Sequence, residues 1–228
     1  MIKIKDMDLN ADKRELATNI TMELERGGKY ILLGQNGTGK STFMKEIFKA
    51  SIIGGEGIDI DNSNAFYSDN SSLTAFDQFS GFEYLNTYFE PIYGYEWFKE
   101  KIIDLSKFEV DNKVLGTTMA DLSGGERRIL NVLVAIYGKY DLLLIDELES
   151  NLDEVKLEKA IDEINKMEEC TIIIATHNQK VVNKLHHNKV FMFKEQKLEE
   201  ANNDNGDGES LKELFQKEKG LIDENFEF

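Results

Sequence analysis

The sequence contains few residues of several types, and each shortage argues against a structural feature or a function. Its 228 residues contain one cysteine and one proline, and 27 lysines and arginines face 43 acidic residues, a formal net charge of −16. The lone Cys170 cannot form an internal disulfide. Nucleic-acid binding is also disfavoured, because neutralising phosphates requires clustered Lys and Arg and the sequence contains no basic block. We therefore expect a cytoplasmic protein that does not bind nucleic acid.

Long hydrophobic runs are missing as well. No apolar stretch reaches the roughly 18 residues needed to cross a bilayer, and the N-terminal residues MIKIKDMDLN do not resemble a signal peptide. Any connection with a membrane would have to come from a separate protein. What is present, 41% hydrophobic and 10% aromatic residues, predicts a folded chain of one domain with room for a small inserted subdomain.

Periodicity along the chain predicts an α/β fold. Residues 2–9 and 18–24 alternate apolar with polar residues, as half-buried strands do. The apolar run Tyr30–Leu33 predicts a central strand, and a helical pattern begins at Lys40. Strands that alternate with helices imply a mainly parallel core sheet flanked by helices, next to a small N-terminal antiparallel β part. The later elements are predicted as helix 125–137, strand 142–145, helix 154–167, strand 171–175 and helix 181–186.

Three segments depart from this alternation. Residues 66–108 hold thirteen of the chain's 23 aromatic residues with mainly helical periodicity, and we interpret them as belonging to an inserted helical subdomain at about residues 70–121. Residues 52–64 are rich in Gly, Asp and Asn and predict hairpins or loops. Residues 199–228 hold ten acidic residues against three lysines, which predicts a solvated C-terminal tail.

A glycine-rich segment lies between the first central strand and its helix. Residues 34–41 read GQNGTGKS and match the P-loop pattern. Backbone N–H groups of such a loop and the following helix N-terminus cradle phosphate oxygens. Lys40 would reach the outer phosphates, and the Ser41 hydroxyl would ligate Mg²⁺. The predicted nucleotide-binding residues of this segment are Gly34, Gln35, Asn36, Gly37, Thr38, Gly39, Lys40, Ser41 and Thr42.

A second segment supplies paired carboxylates. Residues 141–147 read DLLLIDE, a buried strand that ends in two acids at the carboxyl edge of the sheet, where ligands of open α/β sheets bind. We predict that Asp146 holds Mg²⁺ directly or through water and that Glu147 polarises an attacking water. Such a strand is common in α/β proteins, but together with a P-loop it indicates a nucleotide hydrolase.

The segment Leu122–Glu126 (LSGGE) resembles the signature sequence of ABC ATPases and lies 19 residues before Asp141. Residues 150–153 (SNLD) resemble the D-loop of that family, and His177, after the next predicted strand, resembles its switch histidine. The resemblance spans about residues 2–198. It identifies the fold as a P-loop NTPase of ABC type and this span as the ATPase domain, followed by the acidic tail 199–228.

The resemblance implies a half-site. The family binds ATP on the P-loop of one subunit and caps it with the signature turn of a second, so ATP and Mg²⁺ are the expected cofactors. The expected partner is a second ABC ATPase subunit, in a homodimer or a heterodimer. Ser123 and Gly125 would contact the γ-phosphate across the dimer, and Asp153 of the D-loop joins the nucleotide-binding set. The expected catalytic residues are Glu147, His177 and Lys40.

Several positions differ from the family pattern. Leu148 and Glu149 stand where the family has Pro and then Thr or Ser, and Glu126 stands where it has Gln. Residues 8–13 lack the aromatic side chain that commonly stacks on adenine. The Q-loop residue stays open among three candidates, Asp69, Asn70 and Gln78.

The resemblance also implies a cellular role. We expect an ATP-hydrolysing subunit that powers transport through a separate integral-membrane permease, peripheral on the inner face of the cell membrane, with export of a peptide, lipid or drug favoured. The alternative is a soluble ABC ATPase of chromosome maintenance, repair or translation. A third reading, a nucleotide-binding module without catalysis, is disfavoured because Lys40, Asp146, Glu147 and His177 are all present.

Overall fold

Two β-sheets and the helices around them make up the fold. The computed structural model describes residues 1–11, 14–60, 64–69, 72–194 and 196–201. Short 3₁₀ turns occur at Ser72–Phe76 and Leu105–Phe108. The elements are β1 (Ile2–Ala11), β2 (Arg14–Leu24), β3 (Lys29–Leu33), α1 (Lys40–Ile53), β4 (Ile58–Ile60), β5 (Ala65–Ser68), α2 (Gly81–Tyr93), α3 (Asn112–Gly116), α4 (Gly124–Tyr137), β6 (Leu142–Asp146), α5 (Glu154–Asn165), β7 (Thr171–Ala175), α6 (Gln179–Lys184), β8 (Lys189–Lys194) and β9 (Lys197–Glu200).

The larger sheet has the strand order β5-β6-β7-β3-β8-β9. Every neighbouring pair is parallel except β8 and β9, which are antiparallel. All five residues of β3 and of β7 are buried, as expected for strands of a parallel sheet that is covered on both faces. The predicted α/β fold with a mainly parallel sheet is therefore confirmed.

The smaller sheet is antiparallel and has the order β2-β1-β4. Burial alternates along the first part of β1, where Ile2 and Ile4 are buried and Lys3 is exposed, because one face of the sheet packs on the core and the other meets solvent. This is the predicted N-terminal antiparallel part. Its third strand, β4, lies within residues 52–64, which were predicted as hairpins or loops.

The larger sheet separates two hydrophobic cores, and successive side chains of its strands alternate between them. On β7, Ile172 and Ile174 belong to the core that includes the apolar residues of α4 and α5. Ile173 and Ala175 belong to the core that includes α1 and the small sheet. The sheet is thus held between two layers, and its carboxyl edge is left to the loops that follow the strands.

The aromatic-rich segment forms much of the core beneath α2. Trp97 is fully buried, stacks on Phe82 and donates from Nε1 to Asn86 Oδ1 at 2.9 Å. The interpretation of residues 66–108 as mainly helical was wrong at its start, because Phe66 and Tyr67 lie on β5. That strand pairs with β6, and aromatic residues suit such a half-buried pleated surface.

The C-terminal part of the described chain extends the sheet. β9 pairs with β8 and runs to Glu200, so the first two residues assigned to the acidic tail are part of a strand. Residues 202–228, the rest of that tail, lie outside the described residues. Within the described ranges, no helix is both long and apolar enough to span a bilayer.

The single cysteine offers a test of this packing. Cys170 precedes β7, is 4% exposed, and burial raises the pKa of its thiol to about 12. Since the thiolate is the reactive form, we expect the native chain to react very slowly with a thiol reagent at mildly alkaline pH. The chain in concentrated guanidinium chloride should react completely. Rapid stoichiometric labelling of the native chain would contradict this packing, and a Cys170→Ser variant provides the blank.

Candidate active site

The P-loop connects β3 to α1 at the carboxyl edge of the larger sheet. Gly34 has φ 149° and Gly37 has φ 80°, values that side chains rarely tolerate. A Cβ on Gly34 would lie 2.8 Å from Thr38 Oγ1, whereas a Cβ on Gly37 would meet no atom within 4 Å. The first glycine is therefore required by the packing of the loop itself. The second leaves open space beside the backbone, as a loop that lets a phosphate group approach closely requires.

Lys40 is the first residue of α1 and is only 6% exposed. Its Nζ donates to the backbone oxygens of Gly34 at 2.5 Å and Gln35 at 2.9 Å. These contacts hold the ammonium group across the loop. Ser41 and Thr42 follow in the first turn of the helix, so the predicted phosphate-binding residues form one continuous loop and helix start.

The carboxylate pair lies beside this loop because of strand order. β7 is hydrogen-bonded to β3 on one side and to β6 on the other, with Ala175 opposite both Leu32 and Asp146. Tyr67 on β5 donates from Oη to Asp146 Oδ2 at 2.9 Å. Burial and the Asp146 charge raise the pKa of Tyr67, so its hydroxyl stays protonated and fixes one oxygen of that carboxylate.

Glu147 occupies an unusual backbone conformation just after β6. Its φ is 49°, in the left-handed region that costs a residue with a side chain about 1–2 kcal/mol. Its N–H donates to Ala175 O at 2.9 Å, and its own carbonyl accepts from Arg128 Nη2 at 2.9 Å. Both hydrogen bonds hold the strained residue at the end of the sheet.

Arg128, on α4, is buried beneath this end of β6. Its Nη2 also donates to Asp146 O at 2.9 Å, and its Nη1 donates to Ser68 Oγ at 3.3 Å. Burial lowers the pKa of the guanidinium, while the negative charges of Glu149 and Asp146 act against that shift. Arginine nevertheless stays protonated in proteins, so a positive charge underlies the paired acids.

His177 follows β7 and therefore lies at the same sheet edge as the paired acids. Its side chain is 54% exposed, with Nδ1 3.6 Å from Glu149 Oε1. Its backbone N–H donates to that oxygen at 3.2 Å. The structure thus brings Lys40, Asp146, Glu147 and His177 to one edge of the sheet, as the sequence predicted.

The signature turn and the D-loop lie together at the starts of α4 and α5. Ser123 is the N-cap of α4 and forms a capping box with Glu126, whose pKa is lowered by the hydrogen bonds from Ser123. A Cβ on Gly125 would lie 3.0 Å from Asn151 O. Asp153 caps α5 by accepting from Lys156 N at 2.9 Å. Among the described residues, Ser123 and Asp153 form their hydrogen bonds with their own helices.

The candidates for the Q-loop fall in different places. Asp69 directly follows β5 and is buried. Gln78 is exposed, in a segment whose backbone bonds to residues 119 and 120, away from the end of β5. Asn70 lies outside the described residues. Asp69 is thus the described candidate that lies at the strand end.

Three residues of the site were missed by the sequence reasoning as members of it. Tyr67 was predicted to lie in a helix. Arg128 could not be recognised, because the composition of its helix does not indicate which charged residue is buried. Glu149 did carry a signal, because it was noted as a departure from the family pattern. Its position was not recognised as lying against His177.

The oxygen groups at this edge fit a magnesium nucleotide. Asp146 supplies a carboxylate and Ser41 a hydroxyl, both hard oxygen donors of the type that Mg²⁺ prefers. The glycine loop supplies backbone N–H groups and the start of α1, which suit phosphate oxygens. The residues present are therefore chemically suited to both groups.

Comparisons with known proteins agree with this fold. The model of the ABC transporter family matches residues 17–150, more than half of the chain. Elongation factor 3 of Mycosarcoma maydis is 31% identical over 172 residues, which are 74% of this chain and 15% of that protein. The chain therefore spans a small part of that relative's length.

Two solved structures illustrate the likeness of fold. A structure described as the ATP-binding subunit of an ABC transporter is 18% identical and has a TM-score of 0.71, with 98% of this chain and 97% of that chain covered. A dimeric ATP-binding cassette in a post-hydrolysis state, bound to ADP and Pi, is 18% identical and has a TM-score of 0.68. The match covers 88% of this chain and 98% of that one.

The buried arginine generates a stability prediction. In Arg128→Ala, the carbonyls of Asp146 and Glu147 lose a buried donor, and we expect the free energy of unfolding to fall by about 3 kcal/mol, since each unsatisfied buried group costs about 1–3 kcal/mol. Chemical denaturation measures this loss. The matched variant Arg127→Ala removes a partly exposed ion pair with Asp77 and should cost about 1 kcal/mol or less. Equal losses in both variants would contradict the assignment.

Proposed function

Because this chain belongs to the ABC transporter family, we propose that it is an ATP-binding and ATP-hydrolysing subunit that powers transport through a separate integral-membrane permease. One observation carries the enzymatic part of the proposal. Lys40, Asp146, Glu147 and His177 meet at the carboxyl edge of three adjacent strands, where a nucleotide held by the P-loop would be within their reach.

Each residue has a role in this proposal. The P-loop and Lys40 bind the phosphates of ATP, while Ser41 and Asp146 hold Mg²⁺, which when bound neutralises charge on the β- and γ-phosphates. Glu147 orients and polarises the attacking water. His177 contacts the γ-phosphate. Such positioning and electrostatic stabilisation account for most of phosphoryl-transfer catalysis.

The proposal includes a dimer. Ser123 and Gly125 lie at the N-terminus of α4. Among the described residues, neither is hydrogen-bonded to the P-loop of its own chain. In this proposal they complete the ATP site of a second ABC ATPase subunit. Asp153 belongs to the adjoining D-loop. The solved cassette that resembles this chain is described as dimeric with ADP and Pi, which supports this arrangement. The second subunit is a copy of this chain or a different ABC ATPase.

Transport is favoured by the fold relatives. A cassette of nearly the same length is described as the ATP-binding subunit of an ABC transporter, and its match covers almost all of both chains. In this role the chain is cytoplasmic and lies against the inner face of the membrane through its permease, without nucleic acid as a partner. Export of a peptide, lipid or drug is the transport we favour.

A soluble ABC ATPase is the second candidate. The observation that favours it is the identity with elongation factor 3, whose name describes a protein of translation. Under this alternative the same ATPase site would act in chromosome maintenance, repair or translation. The net charge of −16 weighs against direct nucleic-acid contact.

Two substitutions test the catalytic assignment. Glu147→Gln keeps the volume but removes the carboxylate that polarises water, so we expect kcat to fall by about 10²–10⁴-fold with ATP binding retained. Lys40→Ala removes the charge beside the phosphates and should weaken ATP binding at least about tenfold, or about 1.4 kcal/mol. ATPase assays and titration with ATP measure the two effects.

Matched controls exist for both substitutions. Lys45→Ala on the exposed face of α1 and Glu168→Gln before β7 alter exposed side chains and should leave both quantities unchanged. Wild-type turnover in Glu147→Gln, or full ATP affinity in Lys40→Ala, would refute the corresponding role.

The partner distinguishes the two cellular roles. We expect capture of the tagged Glu147→Gln chain with ATP, from detergent-solubilised native membranes, to recover a polytopic membrane protein. The substitution should hold the ATP-bound dimer because it blocks hydrolysis, and Lys40→Ala is the control without bound nucleotide. Recovery of soluble translation or chromosome proteins alone would contradict the transport role and favour the soluble ABC ATPase.

A further inference from the structure

Glu149 is an acid with a largely buried side chain at the turn between β6 and α5. Its side chain is 9% exposed, and it stands two residues after Glu147, where the family pattern has Thr or Ser. Ionised carboxylates are rarely buried unless they are paired, because desolvation of the charge is costly. An acid in this position therefore calls for a physical explanation.

One oxygen of Glu149 holds the segment that follows β7. Oε1 accepts from Thr176 Oγ1 at 2.7 Å and from the His177 backbone N–H at 3.2 Å. The Thr176 hydroxyl accepts in turn from Asn178 N at 2.9 Å. Three consecutive residues are thus tied, directly or through one hydroxyl, to a single carboxylate oxygen.

The imidazole of His177 faces the same oxygen. Its Nδ1 lies 3.6 Å from Glu149 Oε1, a separation slightly longer than a hydrogen bond. When Nδ1 lies against the carboxylate, Nε2 is the ring nitrogen left for a ligand. A carboxylate beside one ring nitrogen is a common way to fix the orientation of a functional histidine.

The second oxygen of Glu149 brings no compensating contact. Oε2 is buried and has no hydrogen-bond partner among the residues that the structure describes. The nearby buried guanidinium of Arg128 offsets part of the charge, since Glu149 is the leading negative group acting on it. A half-satisfied buried carboxylate contributes little net stability, which is the pattern expected of a group kept for function.

We propose that Glu149 is a positioning residue that fixes the backbone and the Nδ1 side of His177, so that Nε2 is presented to the γ-phosphate of ATP. The inference rests on the role of His177 in the proposed function. It goes beyond that role because it assigns a purpose to a residue that departs from the family pattern. A purely structural role for Glu149 would instead stabilise the turn irrespective of the imidazole.

A double-mutant cycle on the full chain separates these roles. Glu149→Gln keeps the volume and an oxygen acceptor but removes the charge facing the ring. We expect it to lower kcat about tenfold, the size typical of partners that orient a functional histidine, with less than about a twofold change in KM for ATP. In the His177→Ala background the same substitution should change kcat less than about twofold.

Glu158→Gln is the matched control, because Glu158 pairs with Lys180 and Lys184 rather than with His177. ATP binding of each variant reports folding. If Glu149→Gln does not fold, Glu149→Thr replaces it with a residue usual in the family and is expected to give the same cycle. An equal loss of kcat with and without the His177 ring would overturn the proposal.

A spectroscopic readout tests the contact independently of activity. The chain has three histidines, so ¹⁵N-histidine labelling gives a simple spectrum. Glu149→Gln should shift the imidazole signals of His177 and leave those of His187, whose Nδ1 lies 2.9 Å from Leu185 O, in place. An unchanged His177 signal overturns the proposal. Full turnover in His177→Ala would instead refute the role of that residue in the proposed function. In that case the imidazole signal of His177 alone would test whether Glu149 positions the ring.

Discussion

The pairing of β7 with β3 on one side and β6 on the other is the constraint on which the site depends. In the hydrogen-bond register, Ala175 lies opposite both Leu32 and Asp146. Leu32, Ala175 and Asp146 thus form one row across the sheet. The start of the P-loop, the paired acids and His177 all lie within about two residues of that row. Segments from three distant parts of the sequence lie at one edge of the sheet because parallel strands end there.

Polar groups that are buried or partly buried hold the loops at this edge in place. Arg128 donates to two main-chain carbonyls of the β6 end, Tyr67 fixes the Asp146 carboxylate, and Glu149 ties down the segment after β7. Arg128 lies on α4, the helix whose N-cap is the signature residue Ser123. One helix thus connects the turn that we propose to face a second subunit with the backbone of Glu147.

Strong local patterns were read correctly from the sequence, and weak ones were not. The P-loop and the buried strand before Asp146 are recognisable from sequence alone. The loop requires glycines because of its backbone geometry, and a buried parallel strand requires a run of apolar residues. Phe66 and Tyr67 were read as helical, since aromatic residues suit both a helix face and a half-buried strand and only pairing with β6 decides between them. The strands β8 and β9 were not predicted. The sequence of β9, KLEE, carries no strand pattern, whereas the apolar run of β8, VFMF, was overlooked.

By itself the sequence determined the α/β class and the positions of the P-loop pattern, the paired acids and His177, because each depends on spacing along a short segment. Only the tertiary structure decided what surrounds them. Arg128 beneath Glu147 and Glu149 against His177 are contacts between residues 19 and 28 positions apart. Such contacts follow from the packing of α4 and the order of β6 and β7, and a linear pattern carries no record of them.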